Sequence, residues 1–146
     1  MEPKCKYDCK LFTFEFQAGL HDCALACLKM IARFFEKSLD VNSIQGKLLI
    51  NSDGVSIYNL REVACDIGIN SVAVRCNIKY LVDNINLPVI ALIQDHHYVV
   101  IYHVSGGQVF IADPAIGCVV YSLKQFEELW CDFRNQDGVL IVFETM

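Results

Sequence analysis

The chain has 146 residues and a formal net charge of −5, with 54% hydrophobic and 20% charged residues. This length and composition fit a globular domain with a proper core and exclude a largely disordered chain. The acidic balance, without a basic patch, argues against nucleic acid as a partner. No segment reaches the roughly 18 uninterrupted apolar residues of a membrane span. The N-terminus also lacks the apolar core of a signal peptide, so we expect a soluble, intracellular chain.

The first strong element is a helix that we predict to begin at Cys23 and end near Glu36. No Gly or Pro interrupts this run, and Asp22 stands where an N-cap residue is expected. Apolar residues lie on nearly every side of the helix, which indicates burial on nearly every side. Residues 11–16 alternate apolar and polar side chains, so we expect a short extended piece before the loop that leads to this helix.

Two shorter helices follow. Asp40 can cap a helix that runs to about Leu49, and residues 51–54 (NSDG) form a cluster typical of a turn. Ser56 can cap a third helix, which has its apolar residues on one face and Gly68 as its C-terminal stop.

The second half of the chain changes to the period of β-strands. Its loops are short, and strands joined by such loops are antiparallel neighbours. The predicted elements are a strand at 70–76, a short helix at 78–85, strands at 89–93, 97–104, 108–113 and 118–121, a helix capped by Ser122, and a last strand at 138–143.

Helices followed by a meander of strands predict an α+β fold, with the N-terminal helices packed on a mostly antiparallel β-sheet. Residues 1–10 are expected to form a loose arm and residues 11–146 a single domain. The eight cysteines are scattered or lie inside helical patterns, and the chain is too apolar to need disulfides. Cys5 and Cys9 are close enough for a metal or redox pair, but no second pair stands at zinc-site spacing. We therefore expect no metal and no cofactor.

Cys23 is the first candidate for chemistry. The thiolate is the reactive form of cysteine, and a helix N-terminus with a nearby imidazolium lowers a cysteine pKa. The amides of the first turn can also donate to a developing oxyanion. A carboxylate facing the sulfur would oppose this, so we expect Asp22 to turn onto the backbone amides as a cap. The alternative is that Cys23 is an inert, buried cysteine.

A cysteine nucleophile needs a base, and the base needs an orienting group. His97 opens one predicted strand and Asp113 closes the next, so an antiparallel pair would bring them together at one edge of the sheet. His96 competes for this role, but adjacent strand residues point to opposite faces. His103 shares the face of His97 but lies further along the strand. Each of these histidines can instead be an ordinary surface or core residue, and Asp113 can simply close a strand into a turn.

Gln17 lies six residues before Cys23 (23 − 17 = 6). Its side-chain amide can donate to the oxyanion that the Cys23 backbone amide faces, a contact whose loss typically costs about 10²–10³ in turnover. The alternative is a plain loop glutamine.

The motifs around Gln17, Cys23, His97 and Asp113 indicate one family more specifically together than any of them does alone. The runs QAGLHDCALACLKMIARFF, DGVSIYNLREVACDIGI and LPVIALIQDHHYVVIYHVSGGQVFIADPAIG resemble the double-glycine leader peptidase domain. That domain is the papain-like cysteine peptidase at the N-terminus of bacteriocin and peptide ABC exporters. The resemblance extends from about Phe14 to Phe143 and keeps the family's order of motifs. The family's patterns fall on Gln17, Asp22 and Cys23 (glutamine–spacer–Asp-Cys), on residues 97–100 (His-aromatic-Val-Val) and on residues 113–117 (Asp-Pro-Ala-x-Gly).

The resemblance implies a papain-like cysteine endopeptidase with a Cys-His-Asp triad. By resemblance, Cys23 is the nucleophile, His97 rather than His96 is the general base, and Asp113 orients the base. Gln17 is then the oxyanion donor.

The implied reaction is hydrolysis of a precursor peptide after a Gly-Gly pair, coupled to export by an ABC transporter. Glycines suit a narrow groove because they carry no side chain. The remainder of the leader would need an apolar surface for an amphipathic helix, which the sequence does not locate. One departure concerns Ala24, where the family usually has Gly. Its methyl group is expected to narrow the site beside the nucleophile.

Domains of this family normally continue into transmembrane helices and an ATPase. Because nothing after Phe143 looks like a designed terminus, we expect a piece of a transporter, on the cytoplasmic side of the bacterial cell membrane. The other possibility is a stand-alone peptidase. Two further alternatives are a leader-binding module that no longer cuts and another papain-like thiol amidase or acyltransferase. The retained Cys23 argues against the first, and the patterns at 97–100 and 113–115 argue against the second.

Overall fold

A computed structural model describes residues 12–19, 22–52 and 54–145. The predicted N-terminal arm and the Cys5–Cys9 pair lie outside the described residues. Within them, the elements in chain order are α1 (Cys23–Phe34), α2 (Val41–Gln45), β1 (Ile50–Asn51), β2 (Gly54–Val55), α3 (Ile57–Asp66), β3 (Ile69–Cys76), α4 (Ile78–Asn84), β4 (Val89–Ile93), a 3₁₀ turn (Gln94–His96), β5 (His97–Ser105), β6 (Gln108–Asp113), β7 (Gly117–Ser122), α5 (Leu123–Trp130) and β8 (Gly138–Thr145).

The larger sheet has the strand order β3-β8-β4-β5-β6-β7, and all of its neighbouring strands are antiparallel. Strands β4 to β7 form a meander, as their short loops predicted. Strand β8 returns from the end of the chain and lies between β3 and β4. The hairpin of β1 and β2 forms a separate two-stranded sheet. The predicted α+β class, with helices on a mostly antiparallel sheet, is confirmed.

The sheet separates two hydrophobic clusters. One contains the buried residues of α1 and α3, and the other contains those of α4 and α5. Alternating residues of β5 face the two clusters, with Tyr98 and Val100 on the α1 side and Val99 and Ile101 on the α5 side. Among the described residues, no helix combines the length and the apolar character that crossing a bilayer requires.

Helix α1 begins at Cys23, as predicted, and most of its residues are buried. The predicted capping role of Asp22 was wrong, because its side chain makes no hydrogen bond to the first turn. Its φ of −100° and ψ of 17° differ from the extended conformation that lets an N-cap side chain reach those amides. The carboxylate lies against Gly19 instead, where an added Cβ would come within 3.1 Å of Asp22 Oδ2.

The other predicted caps are confirmed. Asp40, Ser56 and Ser122 have extended backbones, and each side chain accepts a hydrogen bond from the first turn of its helix. Helix α2 ends earlier than predicted, well before Leu49. The predicted turn at residues 51–54 connects β1 and β2, a hairpin that the sequence reading did not identify.

Candidate active site

The pairing of β5 with β6 brings the beginning of one strand beside the end of the other. Val100 lies opposite Ala112, so His97 and Asp113 meet at this edge of the sheet. His97 Nε2 is 2.7 Å from Asp113 Oδ1. Asp113 is 6% exposed, and its Oδ1 also accepts the Ala115 amide at 2.9 Å. A buried carboxylate held by a second donor fixes the orientation of the imidazole ring.

Cys23 lies at the N-terminus of α1, close enough to the His97 side chain for each group to shift the pKa of the other. Burial raises the pKa of the Cys23 thiol, but this is outweighed by several interactions that favour the thiolate. They are the hydrogen bond from His97, hydrogen bonds from the backbone amides of Tyr98 and Ala24, and the charge of His97. The pKa of Cys23 therefore lies below its ordinary value, as reactive cysteines require.

His97 is shifted in the opposite direction. Its hydrogen bond to Asp113, then its hydrogen bond to Cys23, raise the pKa of His97 to about 9, although burial lowers it. A lowered thiol pKa beside a raised imidazole pKa favours a thiolate–imidazolium pair near neutral pH. The sulfur, the ring and the carboxylate thus form one connected polar unit.

Gln17 is tied to the same region through its backbone. Its amide donates to the Pro114 carbonyl at 2.9 Å, directly after Asp113 in the chain. The side-chain Nε2 donates to the Gly19 carbonyl at 2.7 Å, while the side-chain Oε1 is buried and has no hydrogen-bond partner among the described residues. The structure therefore brings Gln17 to the loop that carries Asp113. The NH₂ group of its side chain is bonded to the Gly19 carbonyl.

The residues before Gln17 are held against the core. Phe12 stacks on Tyr102 with ring centroids 5.2 Å apart. Glu15 pairs with Lys29 at 3.5 Å and with Arg33 at 3.1 Å, both on α1. Residues 12–17 have no regular secondary structure. The segment is therefore held by these side-chain contacts and not by hydrogen bonds to a neighbouring strand.

The competing residues lie apart from this unit. His96 is exposed in the 3₁₀ turn, and His103 Nε2 is 3.1 Å from Ser105 Oγ, with its ring against Phe110. Ala24 is 1% exposed and packs in the α1-side cluster. The narrowing expected from its methyl group stays a prediction.

Two backbone amides that contact the site were not predicted from the sequence. The Ala115 amide that holds Asp113 belongs to an Asx-type turn, and the Asp-Pro-Ala run carries a signal for it. The amide of Tyr98 gives no signal at the level of sequence, because only the tertiary structure brings it to the Cys23 sulfur. Among the described residues, no group of three or more His, Cys, Asp or Glu side chains can hold a metal ion.

Comparison with known proteins decides the family. Residues 12–140 match the Peptidase C39 family over most of the chain. The chain belongs to the Peptidase C39 family. Membership implies a cysteine peptidase, and the family that the motifs predicted is confirmed.

The curated relatives of this C39 domain include transport proteins of bacteria. It is 28% identical over 120 residues to the lactococcin-G-processing and transport ATP-binding protein LagD of Lactococcus lactis subsp. lactis, covering 79% of the chain and 17% of the relative. It is 27% identical over 121 residues to the pediocin PA-1 transport/processing ATP-binding protein PedD of Pediococcus acidilactici, covering 78% and 17%. The chain thus spans about a sixth of the length of these relatives.

Solved structures show the same fold. A double glycine motif protease from an AMS/PCAT transporter, in complex with the leader peptide, superposes with a TM-score of 0.83 at 21% identity, covering 92% of this chain and 91% of that chain. The peptidase domain of Streptococcus ComA, a bi-functional ABC transporter, superposes with a TM-score of 0.79 at 18% identity, covering 92% and 99%. The papain-like fold expected from the motifs is confirmed.

Proposed function

We propose that this C39 domain is a cysteine endopeptidase that removes the leader from a precursor peptide by cutting after a Gly-Gly pair. The observation that carries the proposal is the contact of Cys23 with His97, whose Nε2 lies 2.7 Å from Asp113 Oδ1. Cys23 is the nucleophile, His97 the general acid and base, and Asp113 the residue that orients the ring. The leader peptide bound to the AMS/PCAT protease supports the choice of substrate.

In the first step, the Cys23 thiolate attacks the carbonyl carbon of the second glycine and a C–S bond forms. Negative charge moves to the carbonyl oxygen, where the Cys23 backbone amide can stabilise it. When the intermediate collapses, the C–N bond breaks. The His97 imidazolium donates its proton to the departing amine of the cargo peptide.

In the second step, water hydrolyses the thioester between Cys23 and the leader. His97 is neutral after the first step, so it can accept a proton from the attacking water. The thioester C–S bond then breaks, the leader leaves with a new carboxylate, and the thiolate–imidazolium pair is restored. Asp113 holds the ring in one orientation through both transfers, because its Oδ1 is fixed by the Ala115 amide as well.

We assign Gln17 as the side-chain donor to the oxyanion. Its backbone hydrogen bond to Pro114 supports this role, since the bond holds Gln17 beside the Asp113 loop. The assignment requires the Nε2 group to exchange its contact with Gly19 for the substrate oxyanion. The buried Oε1 has no partner within residues 12–19, 22–52 and 54–145, which supports a side-chain amide that can change its orientation when substrate binds.

We further propose that the precursor reaches this domain on an ABC exporter, on the cytoplasmic side of a bacterial cell membrane. The relatives that process and transport lactococcin G and pediocin PA-1 support this proposal. Cleavage would then be coupled to export of the cargo peptide.

A panel of synthetic leader peptides, followed by intact mass, tests the proposed function. We expect cleavage directly after Gly-Gly, abolished by a thiol alkylator and by Cys23→Ala. The matched control is Cys65→Ala, because Cys65 is an exposed thiol on α3. Both variants should keep the far-UV circular dichroism of the parent protein. Unchanged cleavage by Cys23→Ala would remove the peptidase proposal, and tight binding of leaders without cleavage would favour a binding module.

A further inference from the structure

Tyr98 follows His97 in the chain, and the residue is 2% exposed in the α1-side cluster. Its hydroxyl group donates to the Val55 carbonyl at 2.6 Å, across 43 residues of sequence. A hydroxyl group and a carbonyl buried in this way each need a partner, so the bond ties the beginning of β5 to strand β2.

The same hairpin meets the chain on the other side of His97. Gly54 has a φ of +86°, and a Cβ added there would lie 3.7 Å from the His96 carbonyl oxygen. His96 itself has a φ of +56°, a left-handed conformation that non-glycine residues adopt at a cost. The β1–β2 hairpin therefore contacts the residues that precede and follow His97.

The backbone of Tyr98 also reaches the reactive sulfur. Its amide is one of the donors to Cys23, alongside the His97 ring. Any shift of the Tyr98 backbone would thus move two donors of the Cys23 thiolate together. Within the described part of the chain, the other ionisable side chains that interact with Cys23 or His97 are Cys27, one turn along α1, and Asp113 on β6.

We propose that Tyr98 is a positioning residue whose phenol–Val55 bond holds the first residues of β5 where the His97 ring and the Tyr98 amide both reach Cys23. The proposal rests on the function proposed above for Cys23 and His97. The Tyr98 hydroxyl group is bonded to the Val55 carbonyl and takes no part in the reaction itself. It acts through the backbone, with the β1–β2 hairpin as the fixed support.

The test uses Tyr98→Phe, which keeps the buried ring and removes only the hydroxyl group. The rate of Cys23 alkylation by iodoacetamide is measured against pH, with peptide mass mapping to separate Cys23 from the other cysteines. We expect the midpoint to rise by about half a pH unit or more, because weaker hydrogen bonding disfavours the thiolate. Cleavage should lose about tenfold in kcat/KM, mainly through kcat, as expected for misplaced groups.

Val63→Ala is the control for stability alone, because Val63 is a buried aliphatic residue of the same cluster on α3 and its side chain has no group that can donate to Cys23. It should lower Tm without moving the alkylation midpoint. Gly54→Ala disturbs the hairpin from the His96 side, should raise the midpoint as Tyr98→Phe does, and carries the test if Tyr98→Phe does not fold. An alkylation midpoint that stays unchanged in both Tyr98→Phe and Gly54→Ala overturns the proposal. A midpoint that Val63→Ala moves as far as these two variants do also overturns it. If the parent protein does not cut Gly-Gly peptides, the proposed function is wrong. The alkylation midpoints still test the positioning role of Tyr98 in that case, because they do not depend on cleavage.

Discussion

The amide of Gln17 donates to the carbonyl of Pro114 at 2.9 Å, which joins the segment before α1 to the loop after β6. Gln17 is 97 residues away from Pro114 (114 − 17 = 97), so this bond closes the site across most of the chain. One side of the bond carries the proposed oxyanion donor, and the other side carries Asp113. A displacement of either segment therefore changes the position of both groups relative to Cys23.

His97→Ala should abolish cleavage, because it removes both the proton donor to the leaving amine and the partner that favours the Cys23 thiolate. The neighbouring His96 provides the control, and asparagine is the suitable replacement because it tolerates the left-handed backbone at φ +56°. We expect His96→Asn to keep activity within about threefold of the parent, since its ring is outside the triad. His96→Ala should likewise be far less damaging than His97→Ala. Equal losses at the two positions, measured as kcat/KM on a Gly-Gly peptide, would show that the base is misassigned.

Gln17→Ala should lower kcat by about 10²–10³ with a smaller change in KM, because an oxyanion donor acts chiefly in the transition state. Gln108→Ala is a matched control, since Gln108 is exposed at the start of β6, at the opposite end of the β5–β6 pair from Asp113. Steady-state kinetics on one leader peptide separates kcat from KM in both variants. A loss in Gln17→Ala as small as that in Gln108→Ala would contradict the donor role.

The pH profile of kcat/KM should be bell-shaped. Activity rises with pH as the Cys23 thiolate forms, at a pKa below the ordinary thiol value, and falls as the His97 imidazolium loses its proton at a pKa of about 9. Asp113→Asn should move the alkaline limb to lower pH, because the hydrogen bond to Asp113 is the largest cause of the raised His97 pKa.

Asp66→Asn controls for the loss of a carboxylate elsewhere, since Asp66 pairs with Lys47 at 3.4 Å on the exposed surface. It should leave both limbs of the pH profile in place. An alkaline limb that stays near pH 9 in Asp113→Asn would mean that another group sets the His97 pKa.

Gly138→Ala should destabilise the fold by about 1–3 kcal/mol, the usual cost of forcing an extra group into a packed core. A Cβ at Gly138 would overlap the ring of Trp130, which is fixed by stacking on Phe126 and by donating to the Val139 carbonyl at 3.0 Å. Thermal unfolding followed by circular dichroism measures the loss.

Gly46→Ala is the control for that experiment. An added Cβ at Gly46 meets no atom within 4 Å, and its backbone has φ −71°, which alanine adopts readily. We expect Gly46→Ala to leave Tm unchanged or to raise it. The free energy of unfolding should increase by at most about 1 kcal/mol, because alanine lowers the conformational entropy of the unfolded chain. A Gly138→Ala protein as stable as Gly46→Ala would mean that Trp130 can move aside.

The sequence by itself determined the elements whose causes are local. The uninterrupted helix formers after Cys23, the caps at Ser56 and Ser122 and the alternation in β4 to β7 predicted those elements closely, because each depends on neighbours a few residues away. The turn between β5 and β6 also predicted that His97 and Asp113 meet at one edge of the sheet. The one-residue shift of the pairing between Ile101 and His103, which helps to set their final positions, was not predicted.

Tertiary structure decided what depends on residues far apart in the chain. The insertion of β8 between β3 and β4 follows from competition among strands for the same edges, which no local pattern records. Asp22 failed as a cap because its own backbone dihedrals lie outside the capping range. The Tyr98 amide reached Cys23, and the Tyr98 hydroxyl reached Val55, only once α1, β5 and the β1–β2 hairpin were packed together. A backbone amide has the same chemistry in every residue except proline, so only its final position gives it a role.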